Sequence, residues 1–94
     1  MRDVITELQA VLQSRQANPT ADSYTARLLE MGEDEIVKKI GEEAVEVILA
    51  VKGQGDERVI EETADLIYHL LVLLVSRHLT WEDLLAELAQ RQKE

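Results

Sequence analysis

The chain has 94 residues, of which 46% are hydrophobic and 31% charged, and its formal net charge is −9 from 19 acidic and 10 basic side chains. That length makes one domain, 1–94, which buries only about 60–65% of the surface its unfolded chain exposes. The negative charge and the 3% aromatic content exclude a nonspecific binder of DNA or RNA. Such binding needs cations against phosphates and aromatic faces for unstacked bases.

No cysteine is present, so neither a disulfide framework nor a thiolate metal site can form. That fits a reducing, cytoplasmic setting. Met1-Arg2-Asp3-Val4 shows no apolar signal region, and the longest apolar run, Leu70 to Val75, is far too short to cross a bilayer. With Phe absent, Leu, Val, Ile and Ala must fill the core, which favours helices.

A first helix is expected over residues 2–16, where Val4, Leu8, Val11 and Leu12 recur at helical spacing. Asn18-Pro19 ends it. Asp22 or Ser23 can cap a short second helix through Tyr24, Leu28 and Leu29, stopped near Gly32. The third runs from about Asp34 to Lys52 with an apolar stripe of Val37, Ile40, Ala44, Ile48 and Val51. Gly41 inside it costs roughly 1 kcal/mol against Ala, and either close packing or room for a ligand explains it. Gly53-Gln54-Gly55-Asp56 is a turn signal that folds the next helix back.

That fourth helix, from about Asp56 to Arg77, is apolar over a wide arc: Val59, Ile60, Ala64, Ile67, Leu70, Leu71 and Leu74, widened by Leu66 and Leu73. A helix apolar on most sides is buried on most sides. So short a chain has too few other elements to cover it, so a second copy is expected to do so. Thr80-Trp81-Glu82-Asp83 reads as a capping box opening a fifth helix striped by Leu84, Leu85 and Leu88. Trp81 is expected to pack beside that cap, and the tail Arg91 to Glu94 to fray. No strand alternation occurs. The fold class is all-α: four to five helices in an antiparallel bundle completed by homodimerisation.

The chemistry concentrates on helices three and four. Glu43 and Glu46 are three residues apart with Lys39 four before Glu43, and Glu62 and Asp65 repeat the three-residue step. Each set shares a helical face, and Arg58 and His69 extend the second face by a turn each way. An antiparallel pair brings the four carboxylates together, an arrangement that is costly unless a cation neutralises it. A solvated face would intersperse Lys at the fourth position, but Glu42, Glu46 and Asp65 are followed there by Glu46, Ala50 and His69. All-oxygen ligands suit Mg²⁺, with Mn²⁺ as the alternative. A di-iron bundle needs Glu-x-x-His steps. Leu66 and Val75 stand three before His69 and His78, which removes that reading.

Other polar residues have open roles. Lys39 can pair with Glu43 or meet phosphate oxygens. His69 can touch a phosphate or orient a carboxylate, though a structural histidine is the simpler reading. Ser23-Tyr24-Thr25 reads first as a cap.

At these residues the sequence resembles a known family. Ser23-Tyr24-Thr25 with Leu28-Leu29, then Lys38-Lys39-Ile40-Gly41-Glu42-Glu43-Ala44-x-Glu46-Val47, then Ala50-x-Lys52, then Glu61-Glu62-x-Ala64-Asp65-Leu66-x-Tyr68-His69-Leu70-Leu71 are similar to phosphoribosyl-ATP pyrophosphohydrolases of histidine biosynthesis. These belong to the MazG-like all-α pyrophosphohydrolases of nucleoside triphosphates. The resemblance covers roughly residues 5 to 91, with no departure at a motif position. It implies cleavage between the α and β phosphates of phosphoribosyl-ATP, Mg²⁺ dependence and a helical homodimer. It further implies Glu43, Glu46, Glu62 and Asp65 as metal ligands, Glu42 or a neighbouring carboxylate as base, and Lys39, with Lys52 as a second candidate, facing the leaving pyrophosphate. Ser23, Tyr24, Thr25 and His69 would line the substrate. Two alternatives stand beside it: a house-cleaning hydrolase of noncanonical nucleotides, and a noncatalytic helical dimerisation module.

Overall fold

A computed structural model describes residues 3–92. They form five helices, α1 (Val4–Ala17), α2 (Tyr24–Met31), α3 (Glu33–Gly53), α4 (Asp56–Ser76) and α5 (Trp81–Arg91), with no strand among the described residues. The expected helices are all present, with ends shifted by a residue or two. Arg2, expected in the first helix, lies outside the described residues, as do Lys93 and Glu94 of the tail expected to fray. Arg91 closes α5 and bonds Glu87 at 3.2 Å.

The ends follow from local chemistry. Asp3 caps α1 by accepting the Ile5 N–H at 3.3 Å, and Ser23 caps α2 by accepting that of Ala26 at 3.1 Å. Thr80 and Asp83 complete the capping box: each side chain accepts the other's backbone N–H, at 3.1 and 2.9 Å. Gly55, at φ 87°, occupies a conformation other residues avoid, and lets the chain reverse between α3 and α4. The close of α4 is less expected. His78 takes φ 58°, and the His78 and Leu79 N–H groups bond the Val75 and Leu74 carbonyls at 3.0 and 2.8 Å. This is a Schellman closure with histidine where glycine is usual.

The α3–α4 hairpin is the frame, and the core sits at its open end. There the start of α3 and the end of α4 meet α1 and α2. Leu12, Leu28, Ile36, Leu71, Val72 and Val75 form the buried cluster, with Ile40, Tyr68, Leu74 and Trp81 packed against it. Trp81 is therefore the packing residue expected. Each such side chain contributes about 1.5–3 kcal/mol by leaving water.

The expected stripe of α3 is only partly right. Its fully buried residues are Ile36 and Ala50, whereas Val37, Ile48 and Val51 stay exposed in the single chain, at 45%, 59% and 62%. The wide arc of α4 likewise divides. Its C-terminal half is covered from within the chain by α1 and α2, a cover expected from a second copy on sequence grounds. Ile60, in the N-terminal half, is 70% exposed. The closed end of the hairpin is thus the uncovered apolar end. Gly41 is exposed, and a Cβ there would meet nothing within 4 Å, so packing within the chain does not explain it.

Two side chains the sequence did not single out hold the outer helices. Buried Gln9 on α1 donates to the Glu82 carboxylate at 3.0 Å and accepts the Trp81 N–H at 2.5 Å, fastening α5. Gln16 donates to the Val75 carbonyl at 3.2 Å.

Candidate active site

Residues equally far from the Gln54-Gly55 turn face each other across the hairpin, so Glu43 on α3 comes level with Asp65 on α4. One carboxylate oxygen each from Glu43, Glu62 and Asp65 lies within 4.8 Å of the others. Glu62 is buried, Glu43 half-buried and Asp65 exposed, so the group opens to solvent on one side. Glu46 is half-buried one turn nearer the hairpin turn and stands outside this three-membered group.

The electrostatics match the crowding. Burial, then the Asp65 charge, raises the Glu43 carboxyl above its ordinary value; His69 and Lys39 oppose this. Glu62 has a cation. Arg58, one turn earlier on α4, donates through Nη2 to Glu62 Oε1 and through Nη1 to Glu61 Oε1 at 2.6 Å. Among the described residues no ion pair reaches Glu43 or Asp65.

This donor set fits a hard divalent cation. It is all oxygen and carries a local excess of negative charge. Its spacing of at most 4.8 Å is close to the ~4.2 Å between opposite oxygens around Mg²⁺. Small side-chain rotations close it.

The other expected site residues divide into two groups. Lys39 is half-buried and forms no ion pair among the described residues, so of its two readings the pair with Glu43 is not made. Glu42 is exposed beside the carboxylates. Lys52 is exposed in the last turn of α3, about 13 Å further along the helix axis than Glu43.

Of Ser23, Tyr24 and Thr25, only Thr25 is buried; Ser23 is half-buried and Tyr24 exposed. Ser23 is the cap described above. Thr25 is buried and its hydroxyl bonds the Tyr68 hydroxyl. Tyr24 bonds His69 Nε2 at 2.9 Å, and His69 Nδ1 meets the Asp65 carbonyl at 2.8 Å. A carbonyl only accepts, so Nδ1 carries the proton and, in the neutral ring, Nε2 accepts from the Tyr24 hydroxyl. His69 also meets the edges of both tyrosines, at ring separations of 6.0 and 5.3 Å. Consecutive residues of α2 thereby fasten to consecutive residues of α4 beside the carboxylates. Burial, then the neighbouring Tyr68 and Glu43, raises the Tyr24 hydroxyl's pKa. Tyr68 was missed as a partner because nothing in the spacing of α4 announces what α2 brings to it. Arg58 had a signal, four residues before Glu62, but no assigned role.

A concavity of about 570 Å³ along α1, lined by Thr6, Val11 and Arg15 among others, shares no residue with this group and converges no ionisable cluster.

Comparison with known proteins identifies the family. The family model described as phosphoribosyl-ATP pyrophosphohydrolase matches residues 5–92. The phosphoribosyl-ATP pyrophosphatase of Pelotomaculum thermopropionicum is 51% identical over 92 residues, covering 98% of this chain and 94% of that protein. That of Haloarcula marismortui is 50% identical, covering 96% of this chain and 94% of its own length. The histidine biosynthesis bifunctional protein HisIE of Caldanaerobacter subterraneus is 43% identical, but the match covers only 44% of that longer protein. With a match of this extent and the carboxylates of α3 and α4 drawn together, the chain belongs to the phosphoribosyl-ATP pyrophosphohydrolase family.

Proposed function

We propose that this chain hydrolyses phosphoribosyl-ATP between its α and β phosphates, releasing phosphoribosyl-AMP and pyrophosphate, as a cytoplasmic step of histidine biosynthesis. The observation that carries the chemistry is the meeting of Glu43, Glu62 and Asp65 from two helices in a chain of this family. Pyrophosphate release from phosphoribosyl-ATP, measured beside ATP and dUTP, tests it. Orthophosphate as first product, or equal rates on dUTP, would exclude it.

Glu43, Glu62 and Asp65 would hold Mg²⁺ or Mn²⁺, with Glu46 completing the set from one turn away. Held by these carboxylates, such a cation would supply positive charge against the substrate's phosphates and would make water there more acidic. Glu42, exposed and next to Glu43 in the chain, would take a proton from the attacking water as general base. Lys39, with no ion pair among the described residues, faces the charge building on the leaving pyrophosphate. Tyr24 and His69, fastened to each other and to the Asp65 carbonyl, hold α2 as the wall of the substrate site. Ser23 and Thr25 support that wall. Lys52 lies too far along α3 to reach the same phosphates within one chain.

The active form is proposed as a homodimer. Its support is the uncovered end of the hairpin, where Ile48, Val51 and Ile60 are 59%, 62% and 70% exposed. An apolar patch continuous over two helices marks an association surface. A second copy covering that end would also lie against Gly41's face of α3 and bring Lys52 toward a neighbouring site.

A further inference from the structure

Arg58 is placed poorly for a helix and well for a site. It stands in the first turn of α4, where the helix dipole disfavours a cation. Its partners Glu61 and Glu62 follow it by three and four residues, the order that stabilises a helix less than acid before base. Helix stability therefore does not account for it.

What it does reach is decisive. Glu62 is the one buried carboxylate among the described residues, its side chain 8% exposed, and it lies in the group with Glu43 and Asp65. A buried carboxylate grouped with two others is costly without a positive partner. Among the described residues Arg58 is the sole cation paired to any of the three. Its own side chain is 46% exposed, so water screens the pair and the long side chain is free to leave at little cost.

We propose that Arg58 is the internal counter-ion of the metal-free site: it holds Glu62 until a divalent cation takes that carboxylate, and then turns to the substrate's phosphates. The inference rests on the metal-site reading above. Two cations compete for Glu62, so Arg58 opposes metal binding when the metal comes alone. A polyphosphate reverses this, because the released guanidinium finds a bidentate anionic partner. Metal and polyphosphate then each strengthen the other's binding by the same factor. The arginine thereby favours the metal–nucleotide pair over metal alone.

The test is Mn²⁺ titration of the full chain followed by the electron paramagnetic resonance signal of free Mn²⁺, with and without pyrophosphate, for wild type, Arg58→Ala and Arg58→Lys. Without pyrophosphate, Arg58→Ala is expected to bind Mn²⁺ more tightly, by about fivefold for a half-exposed pair. Pyrophosphate tightens Mn²⁺ binding in the wild type and less so in Arg58→Ala, with Arg58→Lys between. Unchanged Mn²⁺ affinity and unchanged tightening in Arg58→Ala overturn the proposal. So does weaker Mn²⁺ binding in that variant, which would make Arg58 only a support for Glu62. A wild type that takes up no Mn²⁺ overturns the metal site itself and this role with it; where the wild type does take up Mn²⁺, the two variants alone decide the role of Arg58.

Discussion

Neutralising one carboxylate at a time separates the residues that repel from the one that is already paired. Oxygens of Glu43, Glu62 and Asp65 within 4.8 Å of each other repel by ~0.9 kcal/mol per pair in water and ~3.5 kcal/mol at an effective dielectric of ~20. Asp65 is exposed and Glu43 half-buried, so screening by salt takes each pair below the lower figure, and the two pairs lost with one neutralised group together amount to about 1 kcal/mol. Asp65→Asn and Glu43→Gln are therefore expected to melt above the wild type in EDTA, by about 4 °C. Glu62→Gln behaves differently. It gives up the Arg58 ion pair and is expected to melt at or below the wild type.

Excess Mg²⁺ should invert the order, since a ligand present at a hundred times its Kd adds ~2.7 kcal/mol to the chain that binds it. The pH dependence carries a sign as well. Glu43's carboxyl is raised above its ordinary 4.5 by burial and the Asp65 charge, so the folded chain holds that proton more tightly than the unfolded one. Its contribution to stability is full below that ordinary value and is lost as pH rises through the higher folded value. The metal-free wild type should lose stability against Glu43→Gln across that window. Thermal melts of the four proteins in EDTA and in Mg²⁺ decide the matter. If Asp65→Asn melts below the wild type in EDTA, or Mg²⁺ leaves the wild-type midpoint unmoved, the carboxylates are solvated surface.

Three further outcomes follow from the packing. Gln9→Ala leaves the Trp81 N–H and Glu82 without their partner, and should cost about 1–3 kcal/mol with faster hydrogen exchange confined to α5. His78→Gly relieves a positive φ in a side-chain-bearing residue and should raise stability by ~1 kcal/mol, read as a higher melting midpoint with unchanged hydrolysis. Ile60→Glu changes a side chain that touches little of its own chain; sedimentation should show a dimeric wild type and a folded, dissociated variant, and a well-folded monomeric wild type at micromolar concentration would refute the dimer.

The sequence made the helices legible because their ends are chemical: Ser23, Gly32, Gly55 and Thr80 each stop or start the chain by bonds within a few residues. It also made Glu43, Glu62 and Asp65 legible, since a three-residue step and a short turn are enough to place carboxylates opposite each other. What it could not convey is which apolar face is covered by this chain. Val37, Ile48 and Val51 carry the same periodicity as a core stripe, yet all three stay exposed in the single chain. Ile48 and Val51 lie at the closed end that α1 and α2 do not reach, and Val37, at the open end, is left exposed beside buried Ile36. The polar fastenings were hidden for a related reason. Gln9 with Trp81, and Thr25 with Tyr68, join residues far apart in the chain, and no local rule pairs them. Arg58 lies between these cases: its spacing from Glu62 was visible, but its meaning depended on Glu62 being buried. A surface arginine four residues before a surface glutamate adds only a few tenths of a kcal/mol. The same arginine before a buried, crowded carboxylate is the cation that the metal-free site requires.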